Sequence, residues 1–94
     1  MKAEELKQLM AEGKPVKILD VREADEFSAG DTIPGAENVP MGKVFVEASK
    51  GEIPKDQKIV AICKSGTRCQ IVAEQLKGKG YDIDYLEGGL GAWK

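Results

Sequence analysis

Residues 58–63, with the sequence KIVAIC, are the segment that most constrains the fold of this chain. The run is short, apolar and rich in β-branched residues, which predicts a β-strand buried on both faces, as in a parallel sheet covered by helices on both sides. After a short loop, residues 68–77 repeat the spacing of an amphipathic helix. Its apolar face comprises Cys69, Val72, Ala73 and Leu76. The pattern predicts one strand–loop–helix unit of an α/β fold.

Further strands and helices are predicted along the rest of the chain. Further strands are predicted over 16–21, 36–39 and 82–87, and further helices over 3–12 and 23–29, with another beginning at Leu90. Pro34–Gly35 predicts a turn, whereas residues 43–50 fit neither period. Asp20 and Glu23 have the spacing of a capping box at the start of the helix over 23–29. We expect a small α/β domain with a mainly parallel sheet of four to five strands and helices on both faces.

Length and charge narrow the class of protein. The 94 residues suit one domain over 1–94, and a net charge of -2 without a basic tract indicates no nucleic-acid partner. No apolar run approaches the roughly 18 residues of a membrane span, and the N-terminal residues lack the apolar core of a signal peptide. We therefore expect a cytoplasmic protein without a membrane contact.

The chain has two cysteines, Cys63 and Cys69, and no histidine. A zinc site would need carboxylates at unfamiliar spacing, so we expect neither a metal nor a cofactor. In a reducing compartment both thiols are expected to be free. Without a histidine base, chemistry at Cys63 is expected to be transfer between sulfur atoms and not Cys–His acyl transfer.

The loop after the strand, CKSGTR over 63–68, brings Cys63 to the carboxyl end of the strand, where ligands of α/β sheets bind. A tight loop can direct its backbone N–H groups, together with the helix N-terminus, toward the Cys63 sulfur. Gly66 permits the tight path, and the hydroxyls of Ser65 and Thr67 can donate hydrogen bonds or cap the helix. Such an anion site should lower the pKa of Cys63 by roughly 1 from about 8.5.

Two cations accompany this loop. Lys64 and Arg68 lie at a helix N-terminus, where the helix dipole disfavours positive charge, so a bound anion would explain them. For Lys64 a purely solvent-exposed role explains the residue equally well. Asp20 and Arg22 flank the end of the predicted strand over 16–21, on the side where the anion site should open. They are best explained by capping and an ion pair that supports the loops, with direct substrate contact as the alternative.

Four segments together resemble the rhodanese (sulfurtransferase) domain: LDVREADEF over 19–27, IPGAENVP over 33–40, CKSGTR over 63–68 and LEGGLGAW over 86–93. The resemblance implies that Cys63 carries sulfur as a persulfide cradled by the backbone amides of Lys64, Ser65, Gly66, Thr67 and Arg68. It also implies that the Arg68 side chain fixes the loop or binds the substrate anion. Thr32 stands where the family usually has a histidine, a difference expected to affect local packing more than catalysis.

The resemblance implies a thiosulfate sulfurtransferase-type enzyme. It would move sulfur from thiosulfate or a small persulfide to a thiol, to cyanide or to a sulfur-carrier protein. A phosphatase or arsenate reductase of the same fold is one alternative, although the similar phosphatases have one residue more between cysteine and arginine than the four between Cys63 and Arg68. A protein-partnered sulfur relay or binding module is the other. Cys69 fits a buried residue of its helix better than a second working thiol that would resolve the persulfide to a disulfide.

Overall fold

The computed structural model describes residues 1–30 and 32–93. The helices are α1 (Ala3–Ala11), α2 (Ala24–Ala29), α3 (Met41–Ser49) and α4 (Thr67–Lys77), and a 3-10 helix spans Gly89–Ala92. The strands are β1 (Val16–Asp20), β2 (Glu37–Asn38), β3 (Lys58–Ile62) and β4 (Ile83–Tyr85). None of the helices in these two ranges is long and apolar enough to cross a membrane.

The four strands form one parallel sheet in the order β2-β1-β3-β4. The two central strands pair from Val16 with Lys58 through Asp20 with Ile62. Parallel pairing in this register brings the carboxyl ends of β1 and β3 to the same edge of the sheet. Cys63, which follows β3 directly, is therefore placed at that edge.

Apolar side chains fill both sides of the sheet. On one side, α3 and α4 pack against the sheet through a cluster that includes Val44, Val72 and Leu76. On the other side, α1 and the C-terminal 3-10 helix pack against it through Leu6 and Leu90. The predicted parallel sheet with helices on both faces is confirmed.

Residues 43–50, which fitted neither period, lie mostly in α3. The helical pattern begins two residues earlier, at Met41, and continues through Val44, Phe45 and Ala48, all of which pack into one core cluster. Their spacing of i, i+3, i+4 and i+7 is that of an amphipathic helix. A window that starts at residue 43 omits Met41 and leaves the period too short to recognise.

Two local predictions were wrong. Asp20 does not cap α2: Glu23 is the N-cap residue, and its N–H donates to the Glu26 carboxylate at 3.1 Å. Asp20 is instead buried and paired with Arg22, because β1 ends inside the fold. The helix predicted from Leu90 is a short 3-10 helix that starts at Gly89, and Lys94 lies outside the described residues.

Candidate active site

The Cys63 sulfur lies against the N-terminus of α4. It accepts hydrogen bonds from the backbone N–H groups of Gly66 at 3.1 Å and Cys69 at 3.4 Å. Gly66, the residue before α4, has φ +100°, a left-handed backbone conformation that residues other than glycine rarely adopt. The loop therefore turns N–H groups that lack helical partners toward a single sulfur atom.

Cys69 provides the second thiol at the same place. Its Sγ lies 3.3 Å from the Sγ of Cys63, and both cysteines are free. The side chains of Cys63 and Cys69 are 1% and 0% exposed, respectively. The expected buried position of Cys69 on the apolar face of its helix is observed, and that position also brings its sulfur into contact with Cys63.

These contacts favour a thiolate at Cys63. The side-chain hydrogen bond with Cys69 lowers the pKa of Cys63 to about 5, burial opposes this effect, and the backbone N–H groups of Cys69, Gly66 and Ser65 reinforce it. The pKa of Cys69 is raised, first by its hydrogen bond with Cys63 and then by burial. The loop and helix dipole alone suggested a smaller lowering, because the sequence did not show the contact between the two sulfurs.

Arg68 is held by Glu26, which was not among the residues predicted to form the site. Its Nη1 and Nη2 donate to Glu26 Oε1 and Oε2 at 2.7 and 2.9 Å, and both side chains are about one third exposed. The hydrogen bonds from Arg68 lower the pKa of Glu26 to about 2. The guanidinium thus ties the start of α4 to α2. The only sequence signal was that Glu26 belongs to LDVREADEF, one of the segments that carry the family resemblance.

Asp20 and Arg22 form a buried ion pair beside this loop. Arg22 Nε and Nη2 donate to the Asp20 carboxylate at 2.8–3.1 Å, and Asp20 is 0% exposed. Thr32, at the position where a histidine is usual, donates its hydroxyl to Asp20 at 3.0 Å. Asn38 donates to the carbonyls of Asp20 and Arg22 at 3.0 and 2.9 Å. The Asp20 carboxylate and the backbone carbonyls of Asp20 and Arg22 together join three chain segments at this edge of the sheet.

The glycine-rich turn after β4 packs directly on the cysteine loop. The N–H of Leu90 donates to the Cys63 carbonyl at 2.8 Å, and the N–H of Gly91 donates to the Lys64 carbonyl at 3.2 Å. A Cβ atom at Gly89 would lie 2.4 Å from the Cys63 carbonyl oxygen. The turn therefore holds the carbonyls of the loop away from the sulfur, and it can approach so closely because residue 89 has no side chain.

An open cleft of about 660 Å³ borders the loop. Its lining residues are Arg22, Glu26, Ala29, Gly30, Lys64, Ser65, Gly88, Leu90 and Gly91. Lys64 and Ser65 are exposed there, whereas Thr67 is exposed at the start of α4. Within 1–30 and 32–93, His, Cys, Asp and Glu side chains form no group of three or more that could hold a metal ion.

The fold and the loop define the class of the molecule: an α/β domain with a cysteine, between a central parallel strand and a helix, whose sulfur accepts backbone hydrogen bonds. The model of the rhodanese-like domain family matches residues 2–94, and the chain belongs to this family. A sulfurtransferase of Allochromatium vinosum is 36% identical over 92 residues, which cover 97% of this chain and 83% of that protein.

Two further comparisons agree with this assignment. The thiosulfate sulfurtransferase GlpE of Shewanella oneidensis is 34% identical over 87 residues, covering 89% of this chain and 81% of that protein. The crystal structure of a rhodanese-like domain protein from Staphylococcus aureus superposes with a TM-score of 0.85 at 34% identity. That alignment covers 100% of this chain and 89% of the other. The family resemblance and the fold expected from the sequence are confirmed.

Proposed function

We propose that this chain is a sulfurtransferase that carries a sulfane sulfur atom as a persulfide on Cys63. Membership of the rhodanese-like family, together with relatives that are named sulfurtransferases, supports sulfur transfer in general. One observation in the site carries the proposal for Cys63. Its sulfur is held by the N–H groups of Gly66 and Cys69, and its pKa is lowered to about 5. Near neutral pH, Cys63 is then a thiolate and needs no general base.

The proposed reaction has two half-reactions. In the first, the Cys63 thiolate attacks the outer sulfur of thiosulfate or of a small persulfide, and the S–S bond of the donor breaks to release sulfite or a thiol. In the second, a thiol, cyanide or a sulfur-carrier protein removes the outer sulfur and restores the Cys63 thiolate. The N–H groups of residues 64–68 stabilise the negative charge on the bound sulfur, as donors of an oxyanion hole stabilise oxygen.

The donor would reach Cys63 from the cleft. Although Cys63 itself is buried, its neighbours Lys64 and Ser65 line the cleft and are exposed to solvent. The ammonium group of Lys64 would attract an anionic donor to this side of the loop. We assign Lys64 and Ser65, with the backbone of the rest of the loop, to substrate binding. Asp20 and Arg22 are assigned a supporting role, because their buried pair holds the neighbouring end of β1.

The phosphatase alternative is disfavoured by two features of the loop. Only four residues separate Cys63 from Arg68, which shapes a smaller site than a phosphate needs. In addition, the Arg68 guanidinium donates two hydrogen bonds to Glu26, so its charge is already partnered. A phosphate monoester would have to displace this carboxylate to obtain a bidentate contact.

Intact-mass spectrometry after incubation with thiosulfate tests the proposal. The unmodified chain should gain one sulfur atom, and Cys63→Ala should gain none, because the remaining thiol of Cys69 is buried, and burial opposes its ionisation even without Cys63. Release of one sulfite for each sulfur bound would identify the donor reaction. Sulfur gained equally by Cys63→Ala would refute the assignment of Cys63, and Cys63-dependent turnover of a phosphate monoester would favour the phosphatase alternative.

A further inference from the structure

The contact between the two sulfur atoms has a consequence for the fate of the persulfide. Cys63 and Cys69 are both buried, and their Sγ atoms are 3.3 Å apart. A disulfide requires about 2.05 Å, so a local movement of little more than an ångström would join them. The backbone N–H of Cys69 also donates to Cys63 Sγ, which holds the two residues together.

We propose that the Cys69 thiol discharges the Cys63 persulfide internally, forming a Cys63–Cys69 disulfide and releasing hydrogen sulfide. This inference rests on the proposed persulfide at Cys63. The S–S bond of the persulfide breaks as the bond between the two cysteine sulfurs forms. The proton of Cys69 leaves on the outer sulfur as HS⁻. No external oxidant is needed, because the step is thiol–disulfide exchange.

The charge distribution explains why this step follows sulfur loading. In the free protein, the negatively charged Cys63 sulfur raises the pKa of Cys69 and keeps that thiol protonated. In the persulfide, the negative charge lies on the outer sulfur, so the suppression of Cys69 ionisation weakens. The inner sulfur, now bonded to a leaving group, is the atom that Cys69 already contacts.

Position favours Cys69 over any acceptor in solution. A thiol held beside the persulfide reacts in a unimolecular step, without the entropy loss of a bimolecular encounter. An external acceptor must therefore enter the cleft and remove the outer sulfur before Cys69 reacts. Without such an acceptor, each loaded chain would release its sulfur as sulfide, and a reducing thiol would be needed to restore Cys63 and Cys69. The chain would then also act as a thiol-dependent source of sulfide.

A single-turnover experiment on the whole chain tests this step. The unmodified protein and Cys69→Ser are loaded with thiosulfate or, separately, inorganic polysulfide, desalted to remove the donor, and followed by intact-mass spectrometry and a sulfide assay. The unmodified protein should change from a gain of one sulfur to a loss of two hydrogens, with one sulfide released per chain. Cys69→Ser should keep its extra sulfur at least about tenfold longer, because no neighbouring thiol competes.

The two donors separate the possible failures. A persulfide on the unmodified protein that lasts as long as the one on Cys69→Ser would overturn the inference and leave sulfur loading at Cys63 intact. If thiosulfate adds no sulfur and polysulfide does, thiosulfate is excluded as donor, and disulfide formation from the polysulfide-loaded protein still decides the inference. If neither donor adds sulfur to Cys63, both proposals are refuted. Should Cys69→Ser fail to fold, peptide mapping of the alkylated unmodified protein decides the question by the presence or absence of a Cys63–Cys69 link.

Discussion

Replacing Gly89 with alanine should displace the glycine-rich turn that packs against the backbone carbonyls of the cysteine loop. Gly89 has φ +58, and an added Cβ would lie 2.4 Å from the Cys63 carbonyl oxygen and 2.7 Å from the carbonyl carbon and oxygen of Lys64. All three are backbone atoms, so no side-chain rotation can relieve the overlap. The turn must move away from the loop, and the hydrogen bonds from Leu90 to Cys63 and from Gly91 to Lys64 lengthen or break.

The size of the effect follows from these contacts. Left-handed backbone costs about 1–2 kcal/mol for a residue with a Cβ. Each of the two backbone hydrogen bonds contributes about 0.5–1.5 kcal/mol. We therefore expect Gly89→Ala to lower the free energy of unfolding by roughly 2–5 kcal/mol. This is a large fraction of the roughly 5–15 kcal/mol that stabilises a domain.

Gly80→Ala is the matched control. Gly80 also has positive φ, +93, but a Cβ there would meet nothing within 4 Å. It should lower the free energy of unfolding by only about 1–2 kcal/mol, from backbone strain alone. Urea denaturation followed by circular dichroism measures both variants. In native buffer, Gly89→Ala should also slow the alkylation of Cys63 by iodoacetamide, because the loop N–H groups no longer converge on the sulfur. Equal destabilisation by the two substitutions would refute the argument from close approach.

Substitutions at three other positions test the surroundings of the site. Asp20→Asn removes the charge from a fully buried ion pair and should lower the free energy of unfolding by about 3–5 kcal/mol in urea denaturation. Glu26→Gln removes the carboxylate charge that neutralises Arg68, and Glu26 lines the cleft, so the KM for thiosulfate should fall with little change in kcat; an unchanged KM would show that the Arg68 charge does not reach the donor. Alkylation of Cys63 should follow a pKa of about 5, so its rate should fall only as the pH drops through that value. Cys69→Ala should raise this pKa, and Cys69→Ser, which keeps a donor, should raise it less; identical pH profiles for the three proteins would contradict the assigned cause.

Much of the fold was predictable because its signals are local. The run over 58–63 and the helical period over 68–77 each depend on residues close in sequence, and both elements are observed as β3 and α4. The Pro34–Gly35 turn is also observed, with Gly35 at φ +85. Residues 43–50 show the limit of local patterns, since their helix is recognisable only when its first turn is included.

The partners within the candidate site were less predictable. Glu26 and Arg68 are 42 positions apart, and no spacing rule connects residues on two helices that meet only in the folded chain. The buried position of Asp20 depended on how far β1 extends into the fold, and a capping role was predicted in its place. Helical periodicity placed Cys69 on the apolar face of its helix, whereas the distance of that sulfur from Cys63 depends on the loop between β3 and α4, where Gly66 has a left-handed backbone.

The sequence by itself determined the alternation of strands and helices and the position of Cys63 between a buried strand and a helix, because burial patterns and turn residues act over a few neighbouring positions. Tertiary structure decided which groups meet the cysteine loop: Cys69 at its sulfur, Glu26 at Arg68, and the turn at Gly89 behind its carbonyls. Each of these contacts depends on distances of a few ångströms between segments that the packing of the sheet and helices brings together. Local secondary structure therefore follows from residues that are close in sequence. The lowered pKa of the Cys63 thiol, in contrast, depends on contacts that form only in the packed structure.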